Sequence, residues 1–318
     1  MNGMKAVKRM ATVLWLLAPG THAAVVTLVA SDTQGFSSFD SWANWSDGQT
    51  PQAGNDYETR GNAFLLPEAG GTHVFRGNSL KLNGGTFGGS TFFIPEGDGP
   101  ITLHIADLTL SGNLLNRREG GATISGKMTV IGSDSDFSSG DLGSNSPLTI
   151  TSTLSGGGVI NLISYSSNSF IKLAPGSQGD FTGSISAWGY GLVDVLGDGA
   201  FANANSVQLL QETAIRIGGG VVHNYLPDAA LLLFYTEESS MVLDFEGIDD
   251  VAQIFSIGKG WLAPGLYGAE DNPLAEFTDP HFRGTGLLRV VPEPGFAGVL
   301  SLAMGMLIFR RRIVISGT

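Results

Sequence analysis

The sequence predicts an all-β protein, specifically a single-stranded, right-handed parallel β-helix in which successive turns of the chain stack on one another. Glycine occupies 46 of the 318 positions and charged residues make up only 14 % of the chain, which is typical of turn-rich β structure and argues against helical bundles. No stretch keeps a 3.6-residue apolar period. Short apolar–polar–apolar runs instead recur at steps of 20 or 22 residues, close to the length of one β-helix turn.

The repeated runs also predict which residues face the core. Side chains alternate along a strand, so the outer two residues of each run would point inward and the middle one would point to solvent. A β-sandwich with regular hairpins gives similar short strands and stays open as the alternative. The runs are 108–110, 128–130 and 148–150, at 20-residue steps, followed by 171–173, 193–195 and 215–217, at 22-residue steps.

Residues 1–23 have the three-part order of a secretory signal peptide. Lys5, Lys8 and Arg9 precede the apolar run 10–18, and small residues follow it. The apolar run is too short to span the roughly 30 Å hydrocarbon core of a membrane. We therefore expect export and cleavage near Ala23 and Ala24.

The segment 24–100 predicts a β-rich N-terminal cap, because it is rich in aromatic and turn residues and a solenoid needs its open end covered. This segment contains Trp42 and Trp45, and Trp188 and Trp261 follow later in the chain. Each of the four could be exposed or buried. Exposed tryptophans can stack on sugar rings, whereas buried ones pack in the core. We favour packing or capping for all four.

The rest of the body divides into predicted solenoid coils at 101–225 and a C-terminal β region at 226–291, which is more apolar and more acidic. In the second part, 257–267 predicts a hairpin and closing turn, and 287–291 a final strand. The segments 179–185 (GDFTGSI) and 284–290 (GTGLLRV) resemble the strand repeats of bacterial autotransporter passenger domains. This resemblance supports a β-helix.

The C-terminus predicts one transmembrane helix. After Pro292-Glu293-Pro294, where the prolines disfavour helix, residues 295–309 carry no charge. A basic cluster then holds the far end in the cytoplasm, so the acidic body lies outside and 313–318 form a cytoplasmic tail. The cluster consists of Arg310, Arg311 and Arg312.

The segment 292–312 resembles the PEP-CTERM sorting signal of Gram-negative bacteria in its Pro-Glu-Pro, its apolar helix and its arginine cluster. The resemblance implies an exosortase partner that cuts near Pro292 to Pro294, with Glu293 inside the motif and Arg310 to Arg312 behind the helix. It also implies an association with exopolysaccharide and biofilm. The protein would be anchored in the inner membrane before processing and reach the cell surface or the extracellular matrix afterwards. An ordinary C-terminal anchor is the alternative.

Composition excludes several classes of function. The chain has no cysteine, which excludes disulfides, zinc–thiolate sites, iron–sulfur clusters and a cysteine nucleophile. Residues 24–291 contain 11 basic and 28 acidic residues, a net charge of −17, so we expect no nucleic-acid partner. The body has four widely separated histidines and no H-E-x-x-H motif, namely His73, His104, His223 and His281.

Acidic side chains offer the remaining candidate sites. Asp134, Asp136 and Asp141 fall within eight residues, but the spacing departs from an EF-hand loop and the bidentate glutamate is missing. We expect no cofactor, and at most weak calcium binding. Asp194 and Arg216 occupy the outward positions of successive predicted rungs, where a cross-rung ion pair is favoured over a catalytic pair.

Together these features predict an exported structural or adhesive protein of the cell surface or extracellular matrix, without catalytic residues. Two alternatives use the same scaffold. One is a carbohydrate-active enzyme, a polysaccharide lyase or hydrolase whose site is assembled across turns and leaves no local motif. The other is a carbohydrate-binding module that uses exposed tryptophans.

Overall fold

The computed structural model describes residues 23–291, except 84–90, 98, 117, 119, 133, 141–145, 176–178, 202 and 221–223. The predicted signal peptide up to residue 22, the predicted sorting signal and the predicted cytoplasmic tail lie outside the described residues. In the described ranges every regular element is a β-strand, and there are 27 of them. A helix long and apolar enough to cross a membrane is not found in these ranges.

The strands are short, mostly three to six residues, with two longer ones near the middle of the solenoid. In the first half of the chain they are β1 (Ala24–Thr27), β2 (Asn55–Glu58), β3 (Phe64–Leu65), β4 (Gly71–Val74), β5 (Ser79–Leu82), β6 (Thr91–Ile94), β7 (Ile101–Leu110), β8 (Asn113–Asn116), β9 (Ala122–Val130), β10 (Ser135–Ser139), β11 (Leu148–Ile150), β12 (Thr153–Ser155) and β13 (Val159–Ser164). In the second half they are β14 (Phe170–Leu173), β15 (Ser184–Gly189), β16 (Leu192–Leu196), β17 (Ser206–Leu209), β18 (Ala214–Gly218), β19 (Leu231–Phe234), β20 (Ser240–Asp244), β21 (Ile248–Val251), β22 (Gln253–Ser256), β23 (Gly260–Trp261), β24 (Gly265–Gly268), β25 (Phe277–Thr278), β26 (Phe282–Gly284) and β27 (Leu287–Val290).

The strands form three sheets. The thirteen-stranded sheet has the order β1-β2-β5-β7-β9-β11-β14-β16-β18-β20-β26, with β4 beside β7 and β12 beside β9. The ten-stranded sheet has the order β23-β22-β19-β17-β15-β13-β10-β8-β6-β3. A four-stranded sheet, β21-β27-β24-β25, lies apart from both orders.

The two large sheets make a parallel β-solenoid of about seven turns. Neighbouring strands such as β14, β16 and β18 pair in parallel in the first sheet, and β13, β15 and β17 do the same in the second. A sandwich built from hairpins would pair its strands antiparallel. The all-β solenoid prediction is therefore confirmed, and the β-sandwich alternative is wrong.

The core is filled by every second side chain of the strands. In β18, for example, Ile215 and Ile217 are fully buried while Arg216 between them reaches solvent. Inward residues from both large sheets belong to one hydrophobic cluster. Burying one such aliphatic side chain contributes roughly 1.5–3 kcal/mol, so the stacked turns are held mainly by these columns.

Most of the predicted register is confirmed. Leu108 pairs with Met128, and Leu148 pairs with Ile171. The 22-residue steps from 171 to 193 and from 193 to 215 are also pairings of neighbouring strands. The triplets therefore mark equivalent positions of successive turns.

One predicted step is wrong. Leu148 pairs with Ala122 and not with Met128, whose partner is Leu154 in β12. The reason is that β9 is nine residues long and bears two apolar–polar–apolar triplets, 122–124 and 128–130. In the next turn of the chain, β11 pairs with the first triplet and β12 pairs beside the second.

The two ends of the solenoid differ. At the N-terminal end, buried aromatic rings pack against one another, including Trp45 against Tyr57, whose ring centroids are 4.8 Å apart. At the C-terminal end, β22 and β23 form an antiparallel hairpin where 257–267 predicts one. The predicted segments end at residues 100 and 225. Both large sheets run without interruption across residue 225, and the thirteen-stranded sheet continues from β5 to β7 across residue 100.

Candidate functional site

The residues predicted for export and sorting lie at the margins of the described chain. Ala23 precedes the first strand, and Ala24 is the exposed first residue of β1. The Pro-Glu-Pro motif and the arginine cluster lie outside the described residues, as do Asp141 and His223. The site must therefore be sought among the side chains of the solenoid body.

The four tryptophans divide into two groups. Trp45 is buried, and its Nε1–H donates to the carbonyl of Ser38 at 2.7 Å, which confirms the packing interpretation. Trp42 and Trp261 are 66 % and 55 % exposed, so core packing is wrong for them. Trp188 is half-buried on the outside of β15.

Asp194 and Arg216 form the expected cross-rung ion pair. The Arg216 guanidinium donates from Nε to Oδ1 at 3.0 Å and from Nη2 to Oδ2 at 2.8 Å, a bidentate contact between paired residues of β16 and β18. The hydrogen bond to Asp194 and the negative charge of its carboxylate raise the pKa of Arg216 above its usual value. Each charge is therefore partnered by the other across neighbouring strands of the sheet.

The acidic loop is bridged by an amide. Asn161 Nδ2 donates to the carboxylates of both Asp134 and Asp136, the latter at 2.8 Å. Burial raises the pKa of Asp136, while the Asn161 hydrogen bond acts in the opposite direction. Among the described residues, no group of three or more histidine and acidic side chains is arranged to hold a metal ion. The expectation of weak calcium binding stays a prediction.

A cluster that sequence reasoning missed lies under the C-terminal hairpin. The Asp279 carboxylate accepts hydrogen bonds from Ser256 Oγ at 3.1 Å and from Lys259 Nζ at 2.8 Å. His281 Nδ1 lies 2.5 Å from the same carboxylate, and His281 Nε2 lies 3.0 Å from the carbonyl of Thr236. These residues are far apart in the chain, and no local motif could have shown that they meet.

The Ser256, Asp279 and His281 cluster has the composition of a catalytic triad but not its geometry. All three residues are at most 2 % exposed, so a substrate cannot reach Ser256 Oγ. His281 Nδ1 lies 3.4 Å from Ser256 Oγ but only 2.5 Å from the Asp279 carboxylate, and Nε2 faces the carbonyl of Thr236 and not the serine. The cluster therefore ties the hairpin to the last turn of the solenoid.

A second buried carboxylate, Asp249, anchors the loop before β19. Its Oδ2 accepts the backbone N–H groups of Tyr225 at 3.1 Å and Leu226 at 2.9 Å. Burial nevertheless dominates and raises the pKa of Asp249 from 3.8 to about 6. The ionised form is thus less stable in the folded protein than in the unfolded chain.

This shift predicts a pH dependence of stability. A carboxyl group whose folded pKa exceeds its unfolded pKa contributes stability that is complete below pH 3.8 and is lost as the pH rises through about 6. Between pH 5 and pH 7 we expect Asp249 to lower the unfolding free energy by about 1–2 kcal/mol. Urea denaturation of the wild type and Asp249→Asn at both pH values tests this. The pH-dependent difference between the two proteins should follow Asp249, and parallel pH profiles would contradict the assignment.

The candidate functional site is the outer face of the ten-stranded sheet between β13 and β22, which we call the uncharged face. Its five strands, β13, β15, β17, β19 and β22, present twelve outward positions, and none carries a charged side chain. Six of these positions hold apolar residues, of which Ile163 and Leu233 are buried. The other six hold neutral hydrogen-bonding side chains, namely Asn161, Ser184, Ser186, Ser206, Gln208 and Gln253.

The opposite outer face has a different character. Outward positions of the thirteen-stranded sheet carry Lys172, Asp194 and Arg216 on successive turns, and Arg283 follows after Val242. Charge is thus distributed unequally between two faces built from the same repeating unit. Formation of the core does not require the outward residues to be charged on one face and uncharged on the other. The absence of charge from the uncharged face therefore needs another explanation.

Aromatic rings stand out from the uncharged face. Tyr165 and Trp188 pack edge to face with ring centroids 6.3 Å apart. Nearer the C-terminus, Phe255 lies between Tyr235, at 5.9 Å, and Trp261, at 5.4 Å. Tyr235 is 43 % exposed and Trp261 55 % exposed, so both rings reach solvent.

A cleft of about 330 Å³ lies at the other end of the molecule, near β3. Its walls include Phe36, Asp40 and Glu68. Glu68 Oε1 accepts the backbone N–H of Gly35 at 3.0 Å, which fixes one carboxylate at the rim. The cleft therefore combines an exposed aromatic ring with two acidic side chains.

Comparison with family models, with curated proteins and with solved structures found no match for this chain.

Proposed function

We propose that this protein is an exported structural or adhesive component of the cell surface or extracellular matrix. The observation that supports the proposal best is the solenoid with two unlike faces, one charged and one uncharged and aromatic. Stacked turns give a long regular surface that suits contact with an extended polymer, and they need no cofactor to do so. The acidic body is consistent with a highly hydrated extracellular setting.

Export and sorting belong to the same proposal. The signal peptide is removed near Ala23 and Ala24, and the apolar helix within 292–312 holds the protein in the inner membrane. An exosortase then acts near Pro292 to Pro294 and releases the body to an exopolysaccharide matrix. What supports this is the order of the sequence features at both ends of the chain.

The finer fold prediction is part of the proposal as well. We infer a right-handed solenoid, because parallel strand–crossover–strand connections are right-handed in almost all proteins. We also infer that the N-terminal segment covers the open end of the core. The packing of Trp45 on Tyr57, both buried, supports this capping role.

Intact mass tests the sorting step. The full chain is expressed in Gram-negative hosts with and without an exosortase, and the protein from membrane, surface and culture fractions is weighed. We expect a product that ends near Pro292 to Pro294 only where the enzyme is present. A variant with Glu293→Ala serves as the control and should keep its C-terminus. A full C-terminus in the membrane of both hosts would contradict the proposal and indicate an ordinary anchor.

The cleft near β3 favours a second candidate, a carbohydrate-active enzyme. Most glycoside hydrolases use a pair of carboxyl groups, and the cleft contains Asp40 and Glu68. Incubation with polysaccharides, followed by a search for new reducing ends or unsaturated sugars, separates the two candidates. Turnover that the Asp40→Asn variant abolishes would favour the enzyme over the structural protein.

A further inference from the structure

We propose that the uncharged face, extended by Tyr235 and Trp261, binds a neutral polysaccharide chain lying along the solenoid. This inference rests on the proposed function and deepens it, because it names the binding surface and the chemical class of the ligand.

The distribution of charge selects a neutral ligand. The body has a net charge of −17, yet the outward positions of β13, β15, β17, β19 and β22 exclude acidic and basic side chains alike. An anionic polymer would be repelled by the body as a whole and would find no cation on this face. Carboxylates stand at the β10 edge of the face, where Asp134 and Asp136 accept hydrogen bonds from Asn161 Nδ2. A cationic polymer would find none at the outward positions of the five strands themselves. A neutral chain incurs neither electrostatic penalty.

The rings provide stacking platforms in register with the turns. Leu209 of β17 pairs with Ala187 of β15 on one side and with Phe234 of β19 on the other. Trp188 and Tyr235 are the residues that directly follow Ala187 and Phe234, so they occupy equivalent positions. They are therefore two strands apart, about 9–10 Å along the solenoid at the usual strand spacing. Sugar rings present an apolar face of C–H groups that packs on an aromatic face, and this spacing is on the scale of two linked sugar rings.

The outward positions beside the rings suit the hydroxyl groups of a sugar. Ser186 and Gln208 lie opposite each other on β15 and β17, and Ser206 Oγ donates to Ser184 Oγ at 3.0 Å. Hydroxyl and amide side chains both donate and accept hydrogen bonds, as sugar hydroxyls do. The face thus alternates apolar platforms with neutral hydrogen-bonding groups across several turns.

Affinity electrophoresis of the full chain in a non-ionic detergent tests the proposal. The gels contain one neutral polysaccharide each, hydroxyethyl cellulose, laminarin or galactomannan, or an anionic one, alginate or polygalacturonate. We expect retardation in at least one neutral gel and none in the anionic gels. The double variant Tyr235→Ala, Trp261→Ala should bind about 10- to 100-fold more weakly, since aromatic anchors dominate such contacts.

Two further variants keep the test specific. Trp42→Ala removes an equally exposed tryptophan at the far end of the molecule and should bind like the wild type. Tyr235→Phe keeps the ring and should also retain binding, while unfolding curves for all variants show that the solenoid is intact.

Three results would overturn the proposal: no retardation in any neutral gel, retardation in anionic gels only, or equal loss of binding in Trp42→Ala. Self-association in sedimentation experiments, abolished by the double variant without any effect of polysaccharide, would likewise overturn it in favour of packing between copies of this chain. The sorting experiment on intact mass has an independent outcome, so a failure here is distinguishable from a failure of the proposed function.

Discussion

Replacing Gly126 by alanine is expected to destabilise the protein strongly, because this position combines a positive φ with a close backbone approach. Gly126 lies in β9 at φ +113°, opposite Ile105, where the register of β7 shifts at a bulge. A Cβ atom there would stand 1.9 Å from the carbonyl oxygen of Ile105, so one of the two longest strands would have to move. We expect a loss of about 4 kcal/mol or more in the unfolding free energy measured with urea, because backbone cannot relax as a side chain can.

Gly71→Ala is the matched control for this prediction. Gly71 has nearly the same backbone conformation, φ +107°, and pairs with Ile101 on the same sheet, but open space surrounds its missing Cβ atom. Only the left-handed conformation is then penalised, at about 1–2 kcal/mol. Equal losses in the two variants would show that conformation alone, and not the approach of Ile105, explains the need for glycine at position 126.

The same part of the sheet shows how far sequence reasoning could reach. Stacking of parallel turns was predictable, because apolar–polar–apolar triplets recur at steps close to the length of one β-helix turn, although the pattern left a β-sandwich open. The strand partner of Leu148 could not be predicted, because the two triplets in β9, 122–124 and 128–130, have the same apolar–polar–apolar pattern. Only the bulge opposite Gly126 and the return of the chain in β11 and β12 decide between them.

The candidate site shows a similar division. The absence of charge from the outward positions of β15 and β17 follows from the alternation of each strand once its register is known. The exposure of Trp261 and the burial of Trp45 do not follow, because both depend on where the chain crosses the ends of the solenoid. The contact between Ser256 and Asp279 joins residues 23 positions apart through packing alone.

The Asp279→Ala variant, which removes the contact with Ser256, is expected to cause the second large loss of stability. The variant leaves the ammonium group of Lys259 and the ring of His281 without their shared acceptor, in a cluster where Asp279 and His281 are almost fully buried. Lys259 is 48 % exposed and can be hydrated, but His281 and Ser256 stay buried without their acceptor. A buried polar group left without a partner costs about 1–3 kcal/mol, so we expect a total loss of about 2–6 kcal/mol. Urea denaturation at pH 7, followed by the fluorescence of Trp261 in the same hairpin, measures the loss.

Asp250→Ala is the matched control for that measurement. Asp250 makes an equally short bidentate contact with Arg289, at 2.9 and 2.7 Å, but the guanidinium is 53 % exposed. Water can replace the lost partner there, so we expect only a small change in stability. A comparable loss in both variants would show that burial of the cluster is not what makes Asp279 important.

The pH dependence of Asp279 adds an independent check on its role. Burial alone would raise the pKa of Asp279, but hydrogen bonds from Lys259 and His281 outweigh it and lower the pKa below 3.8. A carboxyl group with a depressed folded pKa contributes stability above its unfolded pKa, and this contribution is lost as the pH falls through the folded pKa. Asp279→Asn should therefore be less stable than the wild type at pH 7 and approach it below pH 3.8. A difference that stays constant across this range would assign the effect of Asp279 to shape and not to charge.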